Sequence, residues 1–521
     1  MFHAKIERRT ASAASAPPEK RAWWQTRTAA FLLILAAVIP LLYPANLPLV
    51  DLPGHMARYR VELDLHRSAD LQRYFTFHWA LIGNLGVDML VIPLSKLFGL
   101  ELATKLIALT IPALTVAGFL AIAAQVHERV PATALFALPL AYSQPMNFGF
   151  VNYTLSMALA LLAFAWWLSL TSRGRLRSRA LVFTPLSVLL FFVHAYGWAF
   201  FCILAFTSEL VRARPERGAW MRPITLSIRN CLPLALPIAL MAFWRAGSQI
   251  PTFLHWSPLN VKTFWLIGVF RYNNQAVETG LAFLLFCAFP ILVVRLRAKP
   301  SAFMLATAGS LLAAFLALPW VVFGSAFADM RLAPYVLAIA ILAFGASAAS
   351  ARTANRIAIA ACLLYAGFLA GRTVQFGKTA NDQQHQLAAL AHIPQGARVV
   401  SLVGSDCRNI WDIPINSHLG SYVTIRRNGF SNDQWLTPGA NLLGLRGDDT
   451  RYFVADPSEM VFPSGCVERP FPSVNKAIRR IPANAADYLW LIDIRPDDRR
   501  VLAGWRPIWQ YKDSALYRRA A

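Results

Sequence analysis

Charge is scarce in this chain. Only 15% of its 521 residues are Asp, Glu, Lys or Arg, and the acidic ones number 27 against 50 basic ones. Ordinary soluble domains carry about a quarter charged residues, so a water-facing surface along the whole length is excluded. Several signatures are missing too. No GxxxxGK[ST], GxGxxG, HExxH or CxxC pattern occurs, which leaves nucleotide hydrolysis, dinucleotide redox chemistry and zinc proteolysis without support. Cysteine is sparse at six residues. Four of these, Cys202, Cys231, Cys287 and Cys362, sit in apolar runs, where a buried free thiol acts as a small hydrophobe.

Apolar residues are what the chain has instead: 56% are hydrophobic and the mean hydropathy is +0.44. The chain therefore reads as an integral membrane protein. Apolar runs near 29–47, 102–126, 131–146, 149–171, 180–193, 196–211, 228–245, 276–294, 303–323, 332–349 and 356–372 predict about eleven spans. The net charge of +23 falls in short clusters between these runs: "HERV", "RGRLRSR", "VRARPERGAWMR", "VRLRAK" and "ARTANR". Cytoplasmic retention of basic loops accounts for them, and no nucleic-acid partner is expected because no basic surface with interleaved aromatics occurs. All five clusters share the side of the basic tail if residues 84–100, which contain Asp88 and Lys96, lie in the interface rather than cross.

The predicted fold class is thus an all-α polytopic membrane helical bundle with a small C-terminal periplasmic α/β domain. Residues 1–28 form a cytoplasmic basic tail, 29–379 the transmembrane domain with an outer loop at 48–101 bearing interfacial helices, and 380–521 the soluble domain. In that last part "ARVVSLVG", "SYVTIRR", "RYFVAD" and "DYLWLIDI" read as strands and "WRPIWQYKDSALYRR" as a closing hairpin. Cys407 and Cys466, the two cysteines of the exported part, are expected to form a disulfide.

The outward loops hold the residues that chemistry needs. In "NLPLVDLPGHMARYRVELD" (46–64), Asp51, His55 and Arg58 fall at helical spacing on one face. Asp51 is either a helix N-cap ahead of a first-turn proline or a general base for an acceptor hydroxyl. His55 and Arg58 either grip an anion beside it or belong to a solvated amphipathic helix. In "FADMRLAPY" Arg331 either reaches a phosphate, with Asp329 orienting it, or snorkels to lipid phosphate. In "SQPMNFGFVNY" the amides of Gln144, Asn147 and Asn152 suit sugar or prenyl contacts, and an interfacial aromatic belt has the same composition. His194 in "FFVHAYGW" is either a site residue or a satisfied polar group between helices, which is the commoner case for a lone histidine.

With its basic tail, first span, acidic outer loop, further spans and exported C-terminal domain, the chain resembles the GT-C membrane glycosyltransferases. That class includes protein O-mannosyltransferases and aminoarabinose transferases. The segments "DLPGHMARY", "MNFGFVNYTLSMALALL" and "FADMRLAPY" carry the likeness. It implies a polyprenyl-phosphate sugar as donor, a glycan, lipid or protein acceptor, and a bacterial inner-membrane location. It also implies Asp51 as the catalytic loop carboxylate and Arg331, with His55 or Arg58, as donor-phosphate ligands in an inverting transfer. The acidic pair of several members is absent, since Leu52 follows Asp51, so no cofactor is expected and a divalent metal stays open. Two other readings remain: a transporter or flippase of a lipid-linked glycan, and a non-catalytic cell-envelope assembly protein.

Overall fold

The computed structural model describes residues 21–214, 220–245, 253–322, 324–345, 350–436, 441–448, 450–454, 458–467 and 470–520. Most of the expected tail, part of the "VRARPERGAWMR" cluster and the end of the run at 332–349 lie outside them.

Among the described residues, five helices are long and apolar enough to cross a membrane: Leu100–His127, Val151–Ser172, Leu176–Val193, Gln275–Arg295 and Ala351–His392. A sixth span results if Met221–Leu234 and Leu236–Ala242, which meet at 66°, count as one. The other expected spans are shorter or irregular. The run at 29–47 forms Arg27–Ala36 and Ile39–Leu42, interrupted ahead of Pro40. The run at 131–146 is an 11-residue 3-10 helix, Ala132–Tyr142, with every residue buried, followed by the turn Gln144–Asn147. Pro139 inside the run lacks the N–H that a continuous α-helix needs, while Pro131 and Pro145 stand at the starts of the two pieces. Residues 84–100 contain a 13-residue helix, Gly86–Phe98. At about 1.5 Å per residue it is roughly 20 Å long, short of a bilayer core of about 30 Å.

Charged pairs among the described residues of the helical region include Arg179–Glu209 at 2.6 Å, Lys262–Asp329 at 3.2 Å and Arg372–Glu278 at 3.7 Å. Each partner would be costly to leave alone at such depth.

The C-terminal region is built on a six-stranded mixed sheet. Its order is Phe430–Ser431, Arg398–Gly404, Tyr488–Ile492, Ser514–Arg519, Trp505–Tyr511, with Met460–Val461 also paired to Arg398–Gly404. Arg398–Gly404 runs parallel to Tyr488–Ile492 in the register Val399↔Tyr488 to Val403↔Ile492. All five residues of Tyr488–Ile492 are buried, as expected of a central strand covered on both faces. The closing segment forms the antiparallel hairpin.

Two expected strands take other forms. "SYVTIRR" folds as helix Tyr422–Arg427, ended by Asn428 at φ +50°. Tyr422, Val423 and Ile425 are buried on it, and Arg426 pairs with Glu101 at 2.7 Å; tertiary packing overrides the β-branched pattern here. "RYFVAD" starts with a 3-10 turn, Arg451–Phe453.

The C-terminal sheet shares its core with the loop at 48–101. Val61, Leu71, Tyr74 and Phe75 pack in one cluster with Val400, Leu402, Phe430 and Leu489, and Phe75–Phe77 pairs antiparallel with Leu443–Leu445. A second fastening joins the region to 271–278. Trp411 Nε1 donates to Glu278 Oε2 at 2.7 Å, Ile413 N donates to Tyr272 O at 2.9 Å, and Arg271 donates to the carbonyls of Trp411 and Ile410.

Candidate functional site

Between the helices and the C-terminal region lies a cavity of about 1260 Å³, above the usual few hundred to a thousand Å³ of a single-ligand pocket. Of the residues singled out from sequence, Asp51, His55, Arg58, Asn152, His194 and Arg331 line it, and Asn147 and Asp329 do not.

Asp51 sits at the N-cap position of helix Leu52–Asp64, yet its side chain makes no capping hydrogen bond. Backbone contacts hold it instead: Asp51 N donates to Phe148 O at 2.9 Å and Val50 N to Asn147 O at 3.3 Å. Gly149 makes that approach possible. Its φ is +77°, and a Cβ there would lie 3.1 Å from Asp51 N, so a left-handed, side-chain-free residue is required. Asn147 is the strut beneath, with Nδ2 donating to Arg271 O at 3.0 Å. It acts on Asp51 through the backbone, without lining the cavity. Gln144 is likewise enclosed below the cavity, its N–H donating to Val269 O at 2.7 Å.

Arg58 departs from the expected anion grip. Its Nη2 lies 2.8 Å from Asp88 Oδ1, and both side chains are almost fully enclosed. Asn152 fixes that acid: Nδ2 donates to Asp88 Oδ2 at 2.9 Å and to Asn84 Oδ1 at 2.9 Å, while Oδ1 accepts from Val87 N. The amide is thereby engaged in holding helix Gly86–Phe98. Asp329 also departs from expectation. It pairs with Lys262, whose Nζ also donates to the carbonyls of Phe315 and Leu318, so it does not orient Arg331.

Arg331 itself is buried, with its guanidinium 3.9 Å from the Phe150 ring centre and 5.5 Å from that of Tyr153. Its Nε has no hydrogen-bond partner, and among the described residues it has no ion-pair partner. Asp51 attracts it electrostatically across the cavity. A buried cation held by aromatic faces and lacking a carboxylate is a ready receptor for an anion.

His194 accepts from Tyr196 N through Nδ1 at 3.2 Å and meets Tyr153 edge-on at 5.6 Å; it caps the helix that begins at Ala195. His55 meets Trp435 at a tilt of 42°, with ring centres 4.9 Å apart. Its pKa is pushed well below the usual range by burial, then by Arg58, so the ring favours the neutral form.

Sequence reasoning passes over His418, Trp435, Tyr153, Tyr196 and Arg271, all of which line the cavity. His418 Nε2 lies 3.9 Å from Asp51 Oδ1. No spacing signal connects "NSHLG" or "NDQW" to a loop so far upstream. The disulfide Cys407–Cys466 is formed, with Cα atoms 6.2 Å apart, and Cys407 is part of the cavity wall. Among the described residues no group of three His, Cys, Asp or Glu side chains is arranged to hold a metal ion.

No family model matches the chain, and no curated protein matches it. Two solved structures are similar to it. The crystal structure of ArnT from Cupriavidus metallidurans bound to undecaprenyl phosphate superposes with a TM-score of 0.47 and 12% sequence identity, covering 94% of this chain and 96% of that one. The apo state of the same protein gives 0.48 and 13% over the same shares.

Proposed function

We propose that this chain is a membrane glycosyltransferase that moves a sugar from a polyprenyl-phosphate donor to a glycan, lipid or protein acceptor on the periplasmic side of a bacterial inner membrane. Arg331 carries the reading: a buried guanidinium, unmatched by any described carboxylate, facing the same cavity as Asp51. The apolar wall from Phe148, Phe150, Trp320 and Phe327 suits the first isoprene units beside a phosphate, and the cavity's size suits donor and acceptor together.

In this mechanism Arg331 binds the donor phosphate and stabilises the charge that grows on it as the glycosidic bond breaks, the electrostatic contribution that is usually the largest. Asp51 takes the proton of the acceptor hydroxyl, which attacks the anomeric carbon from the opposite face, so the configuration inverts. The phosphate-linked donor supplies the driving force. No metal takes part in this scheme. Transport of a lipid-linked glycan is less well supported, because among the described residues Arg179–Glu209, Lys262–Asp329 and Arg372–Glu278 are each paired within the helices.

The test uses the purified full-length chain in nanodiscs with polyprenyl-phosphate sugars labelled in the sugar, plus membrane extract as acceptor source. Label passing into extract material, with release of polyprenyl phosphate, is expected. Absence of transfer from every donor, together with equal polyprenyl-phosphate binding by wild type and Arg331→Ala, would refute the assignment.

A further inference from the structure

The C-terminal region supplies an imidazole to the wall that carries Asp51. His418 is buried at 4% exposure, and its Nδ1 is 2.9 Å from the backbone carbonyl of Asp433. A carbonyl oxygen only accepts, so Nδ1 bears the proton and Nε2 of the neutral ring is a lone pair. That lone pair lies 3.9 Å from Asp51 Oδ1. The ring is also fixed sideways. Trp435 packs on it at 4.4 Å, and the indole presses on Gly54, where a Cβ would come within 2.8 Å of Trp435 and 3.2 Å of His418 Nδ1.

An ionised carboxylate has no hydrogen to give to a lone pair, whereas a carboxylic acid donates one. The facing geometry therefore favours the state in which Asp51 has gained a proton, and the gap closes by about 1 Å to a hydrogen bond when it does. Resting on the glycosyl-transfer reading above, we propose that His418 is a positioning residue that strengthens Asp51 as a base by accepting a hydrogen bond from its acid form. The acceptor O–H bond breaks and its proton goes to Asp51. The acceptor oxygen bonds to the anomeric carbon while the bond from that carbon to the phosphate oxygen breaks, and the electron pair leaves with polyprenyl phosphate. Asp51 then releases the proton to solvent.

The ionisable groups around His418 are Asp51, His55 across Trp435, and Arg331 further along the cavity. The Asp433 carboxylate turns away to accept from Ser421 Oγ at 3.0 Å. Burial brings His418 down to about 4, opposed by the Asp433 carbonyl, so the ring is neutral at pH 7.

Two measurements on the full-length protein in nanodiscs decide the matter. Ring nitrogen NMR of ¹⁵N-histidine-labelled protein, with the His418 signals assigned by loss in His418→Phe, should show the Nδ1–H tautomer and a titration midpoint lower in Asp51→Asn than in wild type, since the new amide donates to Nε2. An Nε2–H tautomer, or identical midpoints, overturns the proposal. In the transfer assay His418→Phe, which keeps a ring against Trp435, should lower kcat about tenfold, a part of the roughly 10² to 10⁴ of general-base catalysis. Its acid limb should move to lower pH while KM for the donor holds. A loss of kcat with an unmoved limb means a packing role only and overturns it. Should wild type transfer nothing, the glycosyl-transfer reading falls while the NMR result still decides the contact.

Discussion

Arg58 Nη2 and Asp88 Oδ1 lie 2.8 Å apart with 3% and 1% of their side chains exposed, so the first cationic side chain of the loop is neutralised by its own protein. Breaking one half should cost about 3–5 kcal/mol. Arg58→Ala and Asp88→Ala are each expected to lower the melting temperature sharply, and the double change Arg58→Met with Asp88→Leu to recover most of it. Equal stability of the single variants and wild type in nanodisc melts would show that the pair does not hold the loop.

Arg331 should behave in the opposite way. Removing a buried cation with no described ion-pair partner relieves a desolvation cost, so Arg331→Gln is expected to melt no lower than wild type. It should bind polyprenyl phosphate about ten- to a hundredfold more weakly, the worth of a charged hydrogen bond of about 1.5–3 kcal/mol. Equilibrium binding of a fluorescent polyprenyl phosphate reads this directly.

At position 51 the side chain makes no cap bond, so the cost of about 1 kcal/mol for losing a cap is not expected. Both Asp51→Asn and Asp51→Ala should accumulate and melt like wild type, with transfer reduced about 10² to 10⁴. Full activity of Asp51→Asn would return the residue to a purely structural place.

Glu62 offers a pH test. Burial first and Asp88 second raise its pKa from 4.5 to about 8, and both carboxylate oxygens are buried without hydrogen-bond partners. A carboxyl raised in the folded state gives stability that is complete below about 4.5 and is lost as pH climbs through 8. Glu62→Gln, which imitates the protonated form, should therefore melt higher than wild type at pH 9 and about equally at pH 4. Parallel melting curves at both pH values would contradict the assignment.

The Cys407–Cys466 bridge spans a sequence separation of 59. Chain-entropy arguments give about 4 kcal/mol for closing such a loop. Reduction should release two additional thiols in denatured protein and lower the denaturant midpoint of the C-terminal region. Full labelling of both cysteines without reductant would show that the bridge does not form.

How much of this was legible in the sequence depended on the range of each interaction. The strands Arg398–Gly404 and Tyr488–Ile492 and the closing hairpin announced themselves through local apolar patterns. The disulfide followed from the placement of two cysteines. Helical spacing correctly set His55 and Arg58 on the cavity side of one helix with Asp51, but spacing carries no word of Asp88 waiting to pair with Arg58. The same limit hid Lys262 from Asp329 and His418 from Asp51. Helix Tyr422–Arg427 misled for another reason, since its β-branched residues pack against the loop at 48–101 and tertiary contact decided its form.

The ribbon between Phe75–Phe77 and Leu443–Leu445 sets a timetable for synthesis. At roughly 5–20 residues per second, Asp51 emerges roughly 20–70 s before His418 and the strand that covers its loop. Through that interval the half-built wall has exposed Val61, Leu71 and Phe75 with nothing to bury them. A chain stalled short of Leu443 would lack the partner strand of Phe75–Phe77, so the wall that carries Asp51 is completed only once the C-terminal region has been made.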